Sequence, residues 1–325
     1  MPLSKIQFKP GIDKEGTEYT ADSGWYDGDK IRFRKGRPEK IGGWRKFSEQ
    51  SFLGVCRSLF EWASLEFLRY IGVGTNLKFY VTEGNNYSDI TPIRNTTAAG
   101  DVTFSATSGS STITVSDTDH GAVLNDFVTF SGAVSLGGNI TADVLNQEYQ
   151  ITGVPSSSSY TITAKDTDGV TVTANASDTG NGGSNVVGAY QINTGLNAYV
   201  TGTGWGAGAW SSGTWSSASA LSSSGQLRLY SQDNFGEDLI FNVRAGGIYY
   251  WDESSGAAAR AVPLTDLAGA SNPPTVALQV MVSDTDRHVI AFGCNPLGES
   301  AIDPLFVRFS DQENAADWTP TATNT

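Results

Sequence analysis

Histidine is almost missing from this chain. His120 and His288 are the only two, and each follows an Asp-Thr-Asp phrase, at 117–119 and 284–286, where a turn is expected. With so few, a His-based zinc site or a His general base has little to draw on. Cysteine is equally scarce. Cys56 and Cys294 both lie in apolar strand contexts and read as buried thiols, not as a disulfide framework. No apolar run approaches the ~20 residues of a membrane helix. The start, Met1-Pro2-Leu3-Ser4-Lys5, lacks an apolar signal core, so a soluble protein not exported by that route is expected. A Walker lysine after a glycine loop is absent, as is a Gly-x-Ser-x-Gly in a strand-to-helix setting. These absences argue against an enzyme and against a bound cofactor or metal. Asp117, Asp119, Asp166 and Asp168 offer hard oxygens of the kind calcium takes, but the twelve-residue loop spacing is missing and aspartates cap turns unaided.

Charge is also thin, at 17% of residues, and unevenly spread. Residues 1–50 hold eleven Lys or Arg against eight acids, whereas residues 95–227 hold one cation, Lys165, against nine. The net charge of -13 disfavours a generic nucleic-acid coat, since phosphate contacts need local cations. It leaves open a basic rim beside DNA, or an acidic lumen that does not grip DNA passing through it.

What the sequence has in quantity is glycine, 37 residues, together with dense Ser and Thr and 11% aromatics. That mixture suits many short strands joined by tight turns. A phrase recurs at an offset of 171 residues: Leu77-Lys78-Phe79-Tyr80-Val81 leading to Ile90-Thr91-Pro92-Ile93, and Ile248-Tyr249-Tyr250-Trp251-Asp252 leading to Ala261-Val262-Pro263-Leu264. An alternating apolar strand precedes each copy, so the pattern reads as a repeated sheet unit around a large insertion. The expected fold is all-β, with antiparallel propeller-like blades and an inserted small β-sandwich or barrel module.

Five segments follow. Residues 1–24 read as an extended arm needing another surface to order it. Residues 25–94 hold a hairpin and the first blade, with strands at 52–60, 67–73 and 77–82 and an edge piece at 87–93. Residues 95–190 read as the inserted module: Ser111-Thr112-Ile113-Thr114-Val115 recurs as Ser159-Tyr160-Thr161-Ile162-Thr163, with further strands at 127–130 and 148–151. Residues 191–224 form a Gly- and Ser-rich connecting loop. Residues 225–325 carry further blades, with strands at 226–230, 238–243, 247–252 and 260–264, then 276–283, 288–292 and 305–310. Trp318-Thr319-Pro320 stands where the earlier units end. Three such units do not close a ring of four to eight, so two outer faces await cover from partners or from further sequence.

Two surface candidates stand out. Lys30, Arg32, Arg34, Lys35, Arg37, Lys40, Arg45 and Lys46 put eight cations into seventeen residues. Ile31 and Phe33 alternate with Lys30, Arg32 and Arg34, which gives a hairpin with one apolar and one cationic face, turning at 35–38 and returning at 39–41. Its use is contact with an acidic neighbouring protein or proximity to DNA. Trp205, Trp210 and Trp215 recur every five residues within the connecting loop, as anchors of that loop or as an intersubunit contact.

The run from Trp25-Tyr26-Asp27-Gly28-Asp29-Lys30 through Ile41-Gly42-Gly43-Trp44, and the run from Phe309-Ser310-Asp311 to Asp317-Trp318-Thr319-Pro320, resemble structural proteins of short-tailed bacteriophages. The closest type is the tail hub or nozzle protein, also described as a head-completion or DNA-stabilisation protein. The resemblance covers roughly 1–93 and 225–325. It implies a virion neck or tail component, assembled in the host cytoplasm. The implied assembly is a homo-hexameric ring below the portal and adaptor, touching other tail proteins and surrounding double-stranded phage DNA, with no membrane insertion. The family supplies no catalytic residues to carry over. A carbohydrate- or receptor-binding tail protein is the alternative, motivated by the tryptophans and the Asp-rich turns.

Overall fold

A computed structural model describes residues 8–17, 19, 23–43, 45, 46, 48–177, 180–195 and 227–321. The chain divides into two compact units, Met1–Glu49 and Gln50–Thr325.

In the first unit, strands β1 (Ile31–Arg34) and β2 (Arg37–Lys40) form an antiparallel hairpin. Its turn is Lys35-Gly36 alone. Both residues have positive φ, 50° and 75°, the two-residue geometry whose twist matches the flanking strands. Arg37 and Pro38 therefore belong to the return strand, which begins two residues earlier than the sequence pattern suggested. Phe33 packs against Trp25, and Trp25 against Phe8, with ring centroids 6.3 and 5.8 Å apart. Residues of the N-terminal arm lie along their own chain: the Lys9 amide donates to the Ser23 carbonyl at 2.7 Å and the Asp13 amide to the Trp25 carbonyl at 2.9 Å.

The second unit is built from antiparallel sheets. Sheet one has the order β3 (Cys56–Ala63), β4 (Arg69–Thr75), β5 (Phe79–Glu83), β6 (Asn86–Asp89). An inserted module follows, with β7 (Ile93–Thr96), β8 (Thr103–Ala106), β9 (Thr112–Ser116), β10 (Phe127–Ser131), a helical turn α1 (Ala142–Leu145), β11 (Glu148–Gln150), β12 (Gly153–Ser156), β13 (Ser159–Thr163) and β14 (Val187–Gln191). Sheet two is β15 (Tyr230–Phe235), β16 (Asp238–Val243), β17 (Ile248–Trp251), β18 (Val262–Pro263). Sheet three is β19 (Ala277–Val282), β20 (Val289–Cys294), β21 (Val307–Phe309).

Sheets one, two and three stack, with sheet two in the middle. Alternation along β16 shows why: Leu239, Phe241 and Val243 enter the core shared with sheet one, while Ile240 enters the core shared with sheet three. Both faces of sheet two are thus apolar and covered. Sheet one can approach closely because Gly74 faces Tyr230; a Cβ there would stand 2.5 Å from the tyrosine ring. Phe79 and Phe241 stack across the same gap with centroids 3.9 Å apart. The recurring phrases end in residues that plug these cores, Ile90 and Ala261 between sheets one and two, Leu264 and Trp318 between sheets two and three. Trp318 adds no strand, however. Asp317 only bridges Ser271 in parallel, so sheet three has three strands where the other two have four.

The module is two four-stranded sheets, β11-β10-β14-β7 and β12-β13-β9-β8, closed over one core that draws only on residues 102–190. The sequence pattern put the first strand at 52–60, but β3 begins at Cys56. Phe52 instead packs on Tyr80 and Tyr87 as a covering segment over sheet one. The strand expected at 226–230 begins at Tyr230.

Candidate interaction surfaces and the module joint

All eight cations of the hairpin region are exposed. Cross-strand pairing sorts them. Arg32 faces Glu39, and Arg34 faces Arg37, on one side; Ile31 faces Lys40, and Phe33 faces Pro38, on the other. Lys40 therefore shares the apolar face, which the period-two reading of β1 alone did not reveal. Arg32 is partly neutralised by Glu39 at 3.4 Å, and Lys30 lies 3.8 Å from Asp29. Among the described residues Arg34, Lys35, Arg37, Arg45 and Lys46 make no ion pair. The like-charged Arg34–Arg37 pair at the end of the ladder is unfavourable by itself, so it marks a place suited to an outside anion. Trp205, Trp210 and Trp215 lie outside the described residues.

The residues that chemistry would use first are occupied structurally. His120 is buried; its Nδ1 accepts from the Ala122 amide at 3.0 Å and its Nε2 meets the Ser156 carbonyl at 3.1 Å. His288 contacts the Ser310 carbonyl through Nδ1 at 2.8 Å. Asp117 accepts from the Tyr190 hydroxyl at 2.6 Å, and Tyr190 meets Tyr160 at 2.8 Å, in the middle of the module. Burial pushes both tyrosine hydroxyls well above their ordinary range, and for Tyr190 its charged neighbours add to the effect. Asp166 takes the amides of Asp168 and Val170 and closes its own turn. Of the two thiols expected to be buried, Cys294 is, and burial raises its pKa; Cys56, at the open end of β3, is partly exposed. Among the described residues no three His, Cys, Asp or Glu side chains come together around a metal-sized space. No helix among them is long and apolar enough to cross a membrane.

One site escaped the sequence pattern altogether. Lys78, only 3% exposed, reaches Asp89 and the module's Glu148 at 2.6 Å each and lies 4.5 Å above the Phe127 ring. Arg260, in the connection between β17 and β18, approaches the same carboxylates at 3.5 and 3.6 Å and donates to the Thr91 carbonyl at 2.7 Å. Gln191, at the end of β14, also donates to Glu148. Two cations and two anions thus balance where sheet one, sheet two and the module meet. Burial would raise the Asp89 pKa, but Lys78, Arg260 and the Thr91 hydroxyl outweigh it and hold the carboxyl below its ordinary value. A second clamp stands beside the first. Arg228 donates to the Asn76 carbonyl, to Thr194 and, at 3.1 Å, to Asn193, and burial lowers its pKa to about 10, which leaves it charged at neutral pH. The only advance sign of the joint is a lysine inside the apolar phrase Leu77-Lys78-Phe79.

No family model matches the chain, and no curated protein matches it. Among solved structures, a phage phi92 endosialidase aligns with 82% of this chain at 13% identity and a TM-score of 0.23. The chain spans about a third of that protein's length, 36%. A likeness at that score carries no argument about fold or activity.

Proposed function

We propose that this chain is a structural subunit of a bacteriophage neck or tail nozzle, one of several identical copies surrounding a DNA conduit. The carrying observation is the partition of charge. Met1–Glu49 contains eleven Lys or Arg and eight acids, a balance of +3, and the remaining residues contain ten and twenty-six, a balance of -16. An exposed cationic hairpin on an otherwise acidic molecule suits docking onto an acidic neighbour, and the acidic remainder suits a passage through which DNA moves without sticking. The phage resemblance of residues 25–44 and 309–320 points the same way, and the described histidines and buried aspartates are spent on internal hydrogen bonds. Neighbours at the portal and adaptor follow from that resemblance.

The test is Arg34→Glu with Arg37→Glu, at positions that form no ion pair in the folded hairpin. Particles carrying the double variant are expected to lack this subunit or to leak DNA, while the purified variant keeps its thermal midpoint. Normal assembly would remove the hairpin from the account. Glycan binding that disappears with Trp210→Ala would instead favour the receptor-binding alternative.

A further inference from the structure

The border between module and host is one residue wide. Tyr190 lies in the module's core and Ile192 in the core shared by sheets one and two, with Gln191 between them in neither. On the entering side Ile90 still belongs to the host core, and the first residue of the module core is Val102. Only β7 and β14 cross this border, and their ladder is irregular there. Asn95 stands opposite Tyr190 and Ile93 opposite Gln191, which leaves Arg94 as an extra residue. An extra residue of this kind bends its strand and disrupts the ladder locally.

What seats the module against the host is charge. Among the described residues, every ion pair that crosses between the two is made by Glu148, to Lys78 at 2.6 Å and to Arg260 at 3.6 Å. On the host side Lys78 and Arg260 carry two positive charges and Asp89 one negative, a surplus of one that Glu148 cancels. The cover over the ammonium of Lys78 also comes from the module. It is Phe127, which is buried yet belongs to neither core. Without the charge of Glu148, a lysine only 3% exposed would hold a surplus charge away from water, which is strongly unfavourable. Lifting the module rewets Lys78 and removes that penalty. A core complete without the host allows the lift without unfolding.

We propose that the module is a rigid arm hinged where β7 and β14 cross the border, at 93–95 and 190–192, and that the single charge of Glu148 locks it against the host. The lock and the hinge are separate parts. Removing the charge frees the direction of the arm and leaves the fold of the arm intact. The device goes beyond the nozzle reading and does not rest on it.

The experiment is single-molecule energy transfer on the full chain. One dye is carried on Ser157→Cys, exposed in the β12–β13 turn of the module, and the other on Ser300→Cys, exposed after β20. Cys56→Ser prevents labelling at that position, and Cys294 is buried. With Glu148 present, a single narrow distribution of transfer efficiency is expected. Glu148→Gln, which keeps the size of the side chain and removes its charge, is expected to broaden and displace that distribution. Glu148→Asp, which keeps the charge, is expected to restore most of the narrowness, and Asp143→Asn, a charge removed elsewhere on the module, to change nothing. Hydrogen exchange on Glu148→Gln is expected to leave the amides of β9 and β13 as protected as in wild type. A distribution unchanged by Glu148→Gln, one already broad with Glu148 present, or one broadened equally by Asp143→Asn would each overturn the proposal. So would fast exchange in β9 and β13 of Glu148→Gln, because the module would then be melting and not turning.

Discussion

Lys78 shows how much one side chain can be asked to do. Removing one partner from a buried ion cluster leaves the opposite charge desolvated and uncompensated, which costs more than the intact cluster contributes. Lys78→Met is therefore expected to destabilise the second unit by about 3 kcal/mol, read from urea unfolding. Asp89 sets a pH dependence. Its pKa is depressed in the folded state, so its contribution is complete above the ordinary aspartate value of ~3.9 and disappears as pH falls through the lower folded value. Asp126 and Asp238 have the opposite sign, because burial raises them and their protonated forms favour the folded state. The stability gap between wild type and Asp89→Asn is expected to be widest near neutrality and to close in acid; a gap independent of pH would show that the ion cluster is not its source. None of this was legible beforehand. Lys78 and Glu148 are bonded although they stand 70 positions apart, and local patterning carries no information about which distant charge a buried lysine will meet.

Elements were easier to read than residues. Period-two alternation marked Asp238–Val243 to the residue and Ile248–Trp251 to within one, because apolar positions there are fixed by the cores on either side. Boundaries slipped where an aromatic covers a sheet instead of joining it, as Phe52 does over Tyr80, since burial alone does not say whether a residue pairs. Turn chemistry supplies a prediction at this scale. Gly36 lies at φ 75° with open space around its Cα, so Gly36→Ala is penalised by conformation and not by crowding. It is expected to cost about 1 kcal/mol in hairpin stability, seen as faster amide exchange in β1 and β2. Gly74→Ala should fail for the other reason. A methyl would drive into the Tyr230 ring, whose hydroxyl donates to Thr75 at 2.7 Å, and the expected loss is about 1–3 kcal/mol of global stability.

For the whole molecule, the recurring phrase falls on two of the three stacked sheets. That sheet three stops at three strands was hidden, because Trp318-Thr319-Pro320 looks like its counterparts and differs only in plugging a core without pairing. The module's core is self-contained, so residues 93–191 expressed alone are expected to unfold cooperatively, with the host-facing side of Glu148 and Phe127 now wet. Calorimetry showing no transition would mean that the host lends the module its stability.

β14 runs back alongside β7, Ala189 opposite Thr96, so the polypeptide leaves the module beside the point where it entered. Adjacent antiparallel partners stand about 5 Å apart. To the surrounding sheets, then, a hundred-residue excursion amounts to a stitch no wider than a hairpin bend. Such a socket can accept a different cargo, a fluorescent reporter or a foreign epitope with neighbouring termini, provided that an acid again stands where Glu148 meets Lys78.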